Sequence, residues 1–105
     1  MTSKLYVTEY YSVASPQVGG LNAQVPSEPP LVEQTPIDYS GGHAESAAFN
    51  ALTTLIRIHT DSICSVLIGT TPVATTGSAR MVAGQTEYRS VPKGQNYKIS
   101  VVGNT

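Results

Sequence analysis

Short segments in which apolar and polar side chains alternate, residue by residue, dominate the second half of the chain. In residues 55–60, Ile56 and Ile58 alternate with Arg57 and His59. Successive side chains of a β-strand point to opposite faces of a sheet, so this alternation is typical of a half-buried strand. Such a strand needs a second layer over its apolar face. The pattern therefore predicts an all-β domain of packed sheets.

Further segments with the same character lie on either side of this strand, and most are separated by glycine, proline or aspartate. They predict a small β-sandwich or jelly-roll-like domain. The predicted elements are a first strand in 4–13, a hairpin of 54–59 and 62–68 around Thr60-Asp61, two short strands in 79–82 and 86–91, and a last strand in 97–102.

The N-terminal third reads differently, because prolines and glycines interrupt residues 14–30. We expect this segment to be a loop or an extended Pro/Gly-rich arm. Residues 31–39 are short and extended, and Pro36 cannot donate a ladder hydrogen bond, so they form an edge strand or a strap across a neighbour. The whole chain, 1–105, is predicted to be one domain with its main β-sandwich body in 46–103.

Residues 44–55 are ambiguous. Alanines and a leucine recur at helical spacing there, but Phe49, Asn50, Thr53 and Thr54 are weak helix formers. The segment also runs into the next strand without a cap or glycine. A strand is favoured, and a helix stays open as the alternative.

The chain is poor in charge. Asp, Glu, Lys and Arg make up 12% of the residues and the net charge is −1, against about 25% charged residues in a typical domain. The basic residues are scattered, which argues against direct nucleic-acid binding. The apolar runs are too short for a membrane span, and the first residues lack the apolar region of a secretory signal. Few charges would need desolvation when a protein partner docks.

Two groups of residues could in principle form a catalytic site or a metal site. His59 and Asp61 could act as a base and its orienting acid, but they flank a predicted turn, where aspartate is common. Asp38, His43 and Glu45 could contribute to a metal site, yet nothing completes a ligand set. The sequence therefore predicts no catalytic residues, cofactor or metal, and a protein that is not an enzyme.

The single cysteine and the six tyrosines suggest packing and contact instead. Cys64 lies in an apolar run and is expected to be a buried thiol. Tyrosine is favoured at interfaces, where one end of the ring is buried and the other is polar. The residues predicted to contact a partner come from the first strand, the arm and the edge segment: Tyr6, Tyr10, Val18, Leu21, Val25, Leu31, Val32 and Ile37.

The second half also resembles small virion proteins of tailed phages, over roughly residues 46–103. The resemblance lies in the order of its strand and turn segments rather than in chemical motifs. It is carried by LIRIHTDSICSV (55–66), GTTPVAT (69–75), ARM (79–81), AGQTEY (83–88) and VPKG (91–94).

The resemblance implies a capsid decoration, or cement, protein found in the virion after synthesis in the host cytoplasm. Its implied partners are the major capsid protein or other virion subunits, and it implies homo-oligomers. The alternatives are a tail, fibre-base or head–tail joining subunit, and a carbohydrate-binding β module that would use exposed tyrosines. A small hydrolase using His59 and Asp61 is the least favoured hypothesis.

Overall fold

The computed structural model describes residues 3–14, 17–18, 21–22, 25–26 and 28–104, with the side chains of 13–14, 17–18, 21–22 and 25 excluded. The described residues form strands, turns and irregular segments and contain no helix, which confirms the predicted all-β class. They accordingly include no helix that could span a membrane. The strands are, in chain order, β1 (Lys4–Tyr10), β2 (Val13–Ala14), β3 (Gln17–Val18), β4 (Leu21–Asn22), β5 (Val25–Pro26), β6 (Val32–Glu33), β7 (Ile37–Asp38), β8 (Ala44–Glu45), β9 (Leu55–Thr60), β10 (Cys64–Gly69), β11 (Ala79–Met81), β12 (Thr86–Ser90) and β13 (Lys98–Gly103).

Two antiparallel sheets make up the body of the molecule. The first sheet has the strand order β12-β9-β1-β6, and β7 pairs with the other end of β1. The second sheet has the order β11-β10-β13-β8. In the arm, β2 pairs with β5 and β3 pairs with β4. The sandwich extends beyond the predicted body of 46–103, because β1 is an inner strand of the first sheet.

The core lies between the two sheets and follows the predicted alternation. Leu5 and Val7 of β1 share the inner face of the first sheet with Ile56 and Ile58 of β9. The second sheet contributes four buried side chains from β10 and β13. They are Cys64, Val66, Ile99 and Val101. Each fully buried isoleucine, leucine or valine contributes about 1.5–3 kcal/mol relative to an exposed one, so this alternation drives the two layers together.

The predicted hairpin of 54–59 and 62–68 is wrong. Both segments are strands, but β9 pairs with β1 and β12, whereas β10 pairs with β11 and β13. Residues 61–63 therefore carry the chain from one sheet to the other. Alternation places Ile58 and Val66 on an inner face in either arrangement, so it does not distinguish a hairpin from a crossing between layers.

The strand favoured for residues 44–55 is correct only at its two ends. β8 covers Ala44–Glu45 and β9 begins at Leu55, while residues 46–54 are irregular. The Ser46 hydroxyl accepts a hydrogen bond from the Ile99 amide at 3.0 Å, and the Phe49 amide donates to the Tyr97 carbonyl at 2.8 Å. These bonds, together with burial of the Phe49 ring, hold the segment against the sandwich without a regular ladder.

Residues 31–39 form the edge segment that the sequence predicts. β6 and β7 both pair with β1, and Pro36 lies in the irregular stretch between them. Because proline lacks an amide hydrogen, the interruption falls where a ladder bond is unavailable. This edge of the first sheet is thereby covered by the chain itself.

Candidate interaction surface

The outer face of the first sheet is open and carries aromatic and polar side chains. The register places Arg57 of β9 between Thr8 of β1 and Tyr88 of β12, and His59 between Tyr6 and Thr86. Tyr6 is 36% exposed and Tyr88 is 54% exposed, whereas Thr8 is buried. We refer to these six residues as the outer face of the first sheet.

Arg57 lies at the centre of this face with its side chain half-buried. Among the described residues, its guanidinium takes part in no hydrogen bond or ion pair; the three ion pairs found there involve Arg89, Lys98 and His43. Guanidinium presents five donors in a planar fork that suits carboxylates and other acceptor groups. An unused fork at the middle of an open sheet face is suited to an acceptor on another molecule.

Neighbouring contacts hold the rim of the face in place. The Tyr6 hydroxyl donates to the Asp61 carboxylate at 3.3 Å, and this carboxylate raises the pKa of Tyr6. The Tyr6 ring lies 6.1 Å from the His59 ring, centroid to centroid, and His59 Nδ1 is 2.7 Å from the Thr86 hydroxyl. His59 and Asp61 thus bind different partners, and both serve to fix the rim.

A shallow depression of about 290 Å³ adjoins Arg57 on this face. It runs from the middle of the sheet towards the edge covered by β6. Its lining combines two ring-bearing residues with polar and charged side chains. The lining residues are Tyr6, Val7, Thr8, Glu33, Gln34, Pro36 and Arg57.

The structure places the eight predicted contact residues in different environments. Tyr6 and Leu31 are exposed, and Val32 is partly buried. The side chains of Val18, Leu21 and Val25 lie outside the described residues. The remaining two are buried by the chain itself, Tyr10 to 4% exposure and Ile37 to 8%, so their side chains are not available to a partner.

Tyr10 fastens the end of the arm to the first sheet. Its side chain projects from the outer side of β1, and its hydroxyl donates to the Glu28 carboxylate at 2.8 Å. Burial and this carboxylate raise the pKa of Tyr10 to about 12. The prediction that Tyr10 contacts a partner did not take into account that Glu28, later in the same chain, covers it.

The outer face of the second sheet is covered around Ser65 and Ser100, whereas Leu67 and Arg80 on the same face are exposed. Residues 70–78 lie over the covered part, and the Ser100 hydroxyl accepts a hydrogen bond from the Ala74 amide at 2.9 Å. The Asn104 amide group donates to the Ser65 hydroxyl at 2.8 Å and to the Thr76 carbonyl at 3.2 Å. Ser65 and Ser100 are fully buried as a result.

Sequence reasoning missed Glu9, which is 1% exposed on the inner side of β1. Its carboxylate accepts hydrogen bonds from the Asn50 amide, the Thr53 hydroxyl and the Gln34 side-chain amide, each at 2.7 Å. A buried carboxylate needs such partners. Glu9 lies two residues after Val7, on the apolar side of the strand, and this position in the sequence could have indicated that its carboxylate is buried.

The carboxylates considered for a metal site have other partners. Asp38 accepts a hydrogen bond from the Ser40 amide at 2.9 Å, and hydrogen bonding from the Ser40 side chain, followed by that from its amide, lowers the pKa of Asp38. Glu45 lies 3.1 Å from the Lys98 ammonium and 3.9 Å from the His43 ring nitrogen. Within the described residues there is no group of three or more His, Cys, Asp or Glu side chains placed to hold a metal ion.

Cys64 is buried, as the sequence predicts, and burial raises the pKa of its thiol. Nearby, the Tyr39 hydroxyl lies 2.6 Å from the Thr60 hydroxyl and donates to the Ser62 carbonyl at 3.0 Å. A cavity of about 470 Å³ opens at this end of the sandwich and borders on Tyr39. Because the hydroxyl is already bonded, it anchors the turn between β9 and β10.

Comparison with protein-family models, with curated proteins and with solved structures gave no match for this chain.

Proposed function

We propose that this chain is a structural component of a tailed-phage virion, and specifically a capsid decoration protein that binds the shell through protein–protein contacts. The observation that carries the proposal is the open outer face of the first sheet. On that face Arg57, without an acceptor among the described residues, lies beside the exposed Tyr88. The virion setting comes from the resemblance over residues 46–103.

The composition of this face favours protein binding. Tyrosine and arginine are the residue types that most often dominate binding energy at interfaces, together with tryptophan. The ring of Tyr6 is already held by Asp61 and by contact with His59, so little side-chain entropy would be lost on docking. A shell surface that presents a carboxylate or a row of carbonyl groups would satisfy Arg57.

The interior of the molecule supports a structural role. Glu9, Ser65 and Ser100 are buried polar residues, and each is hydrogen-bonded. No buried side-chain nitrogen or oxygen of the described residues lacks a partner. Saturated polar groups hold a rigid platform, which suits a protein whose task is to present a surface.

Imaging of particles tests the virion proposal. The chain, labelled with a fluorophore or gold, is mixed with purified shells of the phage that encodes it, and with shells that already carry the protein. We expect signal over the whole of the bare shell. Signal confined to one vertex would favour the tail or head–tail joining alternative, and absence of signal from all particles would overturn the proposal.

The role of the arm needs a more selective deletion than removal of residues 1–30, which would remove β1 and with it Leu5 and Val7 of the core. Ala14 and Val25 are paired across β2 and β5. Residues 15–24 can therefore be replaced by Asn-Gly, a pair that favours tight hairpin turns. We expect this variant to fold and to bind shells less tightly. Unchanged binding would remove the arm from the contact.

A carbohydrate-binding module is the second candidate, and the depression beside Arg57 favours it. An aromatic ring next to a carboxylate and a guanidinium, here Tyr6 with Glu33 and Arg57, provides stacking and hydrogen bonds for a sugar. A glycan array tests this candidate directly. Binding that is lost in Tyr6→Ala and in Glu33→Ala would support it, and an array without hits would exclude it.

A further inference from the structure

The two edges of the first sheet differ. One edge of β1 is covered by β6 and β7, whereas β12, at the opposite end of the sheet, pairs only with β9 among the described strands. An unpaired edge strand presents a row of amide and carbonyl groups to which another strand can bond. β12 is five residues long, which is enough for such pairing.

The hydrogen-bond pattern shows which groups of β12 point outwards. The Thr60 amide donates to the Gln85 carbonyl at 3.2 Å, and the Val91 amide donates to the Thr54 carbonyl at 3.0 Å. Because bonded positions alternate along an antiparallel strand, the backbone groups of Glu87 and Arg89 also face β9. The backbone groups of Thr86, Tyr88 and Ser90 therefore face away from the sheet.

We propose that β12 pairs antiparallel with β12 of a second copy of this chain, about a two-fold axis at Tyr88. In this register the outward backbone groups bond Tyr88 to Tyr88 and Thr86 to Ser90 of the second copy. Glu87 then lies opposite Arg89 of the second copy, at a non-hydrogen-bonded position. Directly opposite side chains approach each other most closely at such positions.

Charge selects this register over its neighbours. A two-fold axis at the level of residue 87 would place two Glu87 side chains opposite each other, and an axis at residue 89 would do the same for Arg89. Like charges directly opposite are destabilising, and opposite charges are favourable. The axis at Tyr88 also pairs all five residues of the strand, so charge and length favour the same arrangement.

The same charges are already paired within one chain. Within one chain, the Arg89 guanidinium lies 2.8 Å from the Glu87 carboxylate. Charged side chains near an edge can serve to prevent pairing. In the proposed dimer each charge gains a second partner of opposite sign, and this self-complementarity distinguishes β12 from an edge protected by like charges.

The dimer joins two first sheets into one continuous sheet and places two copies of Arg57 and Tyr6 on a common outer face. A two-fold contact of this kind uses the same patch on both copies. The inference goes beyond the proposed function and does not depend on it, because the dimer is a property of the purified chain and is measured without shells.

Charge reversal tests the register. In Glu87→Arg both positions are positive, and in Arg89→Glu both are negative. We expect analytical ultracentrifugation to show a concentration-dependent dimer for the unaltered chain and a loss of at least roughly tenfold in dimer affinity for each variant alone. An equimolar mixture of the two variants restores opposite charges at both positions, so we expect it to form a heterodimer.

Two further variants separate pairing from folding. Tyr88→Pro removes an amide that points away from β9, so the ladder to β9 stays intact, and we expect a folded monomer by circular dichroism and sedimentation. Arg80→Glu reverses a charge on β11 and should leave the dimer unchanged. The proposal is overturned if the unaltered chain stays monomeric at millimolar concentration, if Tyr88→Pro dimerises normally, or if the mixed variants do not associate.

Discussion

Glu9 and Arg57 are charged residues on neighbouring strands of the first sheet, but they face opposite sides of it. On the inner side, the Glu9 carboxylate accepts three hydrogen bonds and is withdrawn from water. On the outer side, the Arg57 guanidinium has no acceptor among the described residues. An unsatisfied charge would be costly on the inner side, whereas water satisfies it on the outer side.

This difference separates residues that hold the fold from residues that are free to bind. The second sheet strengthens the point, because its outward-facing Ser65 and Ser100 are buried and their hydroxyls are hydrogen-bonded to Asn104 and Ala74. On the outer face of the first sheet, the described residues leave Tyr6 and Tyr88 exposed and provide no acceptor for Arg57. We propose this face as the contact surface, and the shell as its partner is taken from the resemblance over residues 46–103.

Among the substitutions considered, Glu9→Ala on the inner side of the first sheet is expected to destabilise the fold most. The substitution leaves the Asn50 amide, the Thr53 hydroxyl and the Gln34 amide group without their acceptor. We expect a loss of about 3–5 kcal/mol in the free energy of unfolding, measured by chemical denaturation. Glu9→Gln, which keeps one acceptor oxygen at the same place, should lose roughly half as much. A loss below about 1 kcal/mol for Glu9→Ala would show that these bonds do not hold the fold.

A substitution at the covered Ser100 of the second sheet is expected to lower the free energy of unfolding by a smaller amount. Ser100→Ala removes the acceptor of the Ala74 amide, and we expect a loss of about 1–2 kcal/mol. Hydrogen exchange should quicken at Ala74 and its neighbours in residues 70–78. Thr71→Ala, at an exposed position of the same segment, is the matched control and should change neither quantity. Equal exchange in both variants would contradict the anchoring role of Ser100.

Ionisation of Tyr10 is expected to lower the stability of the fold, and only at alkaline pH. Its pKa is about 12 in the folded chain against an ordinary value of 10.0. For a group with a raised pKa, the stabilisation is complete below the ordinary value and is lost as the pH rises through the folded value. We therefore expect stability to fall between pH 10 and about 12.

Ultraviolet absorbance of tyrosinate checks this expectation. The difference between the titration of the unaltered chain and that of Tyr10→Phe reports Tyr10, and its midpoint should lie near 12. Glu28→Gln removes the nearby carboxylate, so the midpoint should move down while burial keeps it above 10.0. A midpoint at the ordinary value would mean that Tyr10 is not covered.

The smallest effect on stability is expected at the outer face of the first sheet. Arg57→Ala removes a side chain that makes no hydrogen bond or ion pair with the described residues, so the free energy of unfolding should change by no more than about 0.5 kcal/mol. Chemical denaturation measures the change. A loss comparable to that of Ser100→Ala would show that Arg57 serves the fold and would weaken its assignment to a partner.

Much of the sandwich could be predicted from alternation alone. The inner position of Ile56, Ile58, Ile99 and Val101 follows from a period of two, and so does the outer position of Arg57. The pairing partners could not be predicted in this way. A crossing between sheets and a hairpin bury the same side chains, so the strands around residues 61–63 were assigned to one hairpin instead of two sheets.

The candidate site was predicted only in part. Tyr6 was expected at a contact because tyrosine suits interfaces, and it is exposed. Tyr10 has the same residue type on the same side of the same strand, yet Glu28 covers it. Exposure depends on which distant segment lies over a residue, and local sequence does not contain that information. Arg57 could be singled out only from the structure, in which the described residues provide no acceptor for its guanidinium.

The affinity of the purified chain for bare shells, measured for two matched arginine variants, tests the central claim most directly. Arg57 lies on the open face of the first sheet, and Arg80 is an exposed residue of the second sheet. We expect Arg57→Ala to weaken binding by about 30-fold, the effect of losing a central interface arginine, and Arg80→Ala to bind like the unaltered chain. Equal affinities for both variants, or a loss only in Arg80→Ala, would contradict the assignment of the open face to the shell.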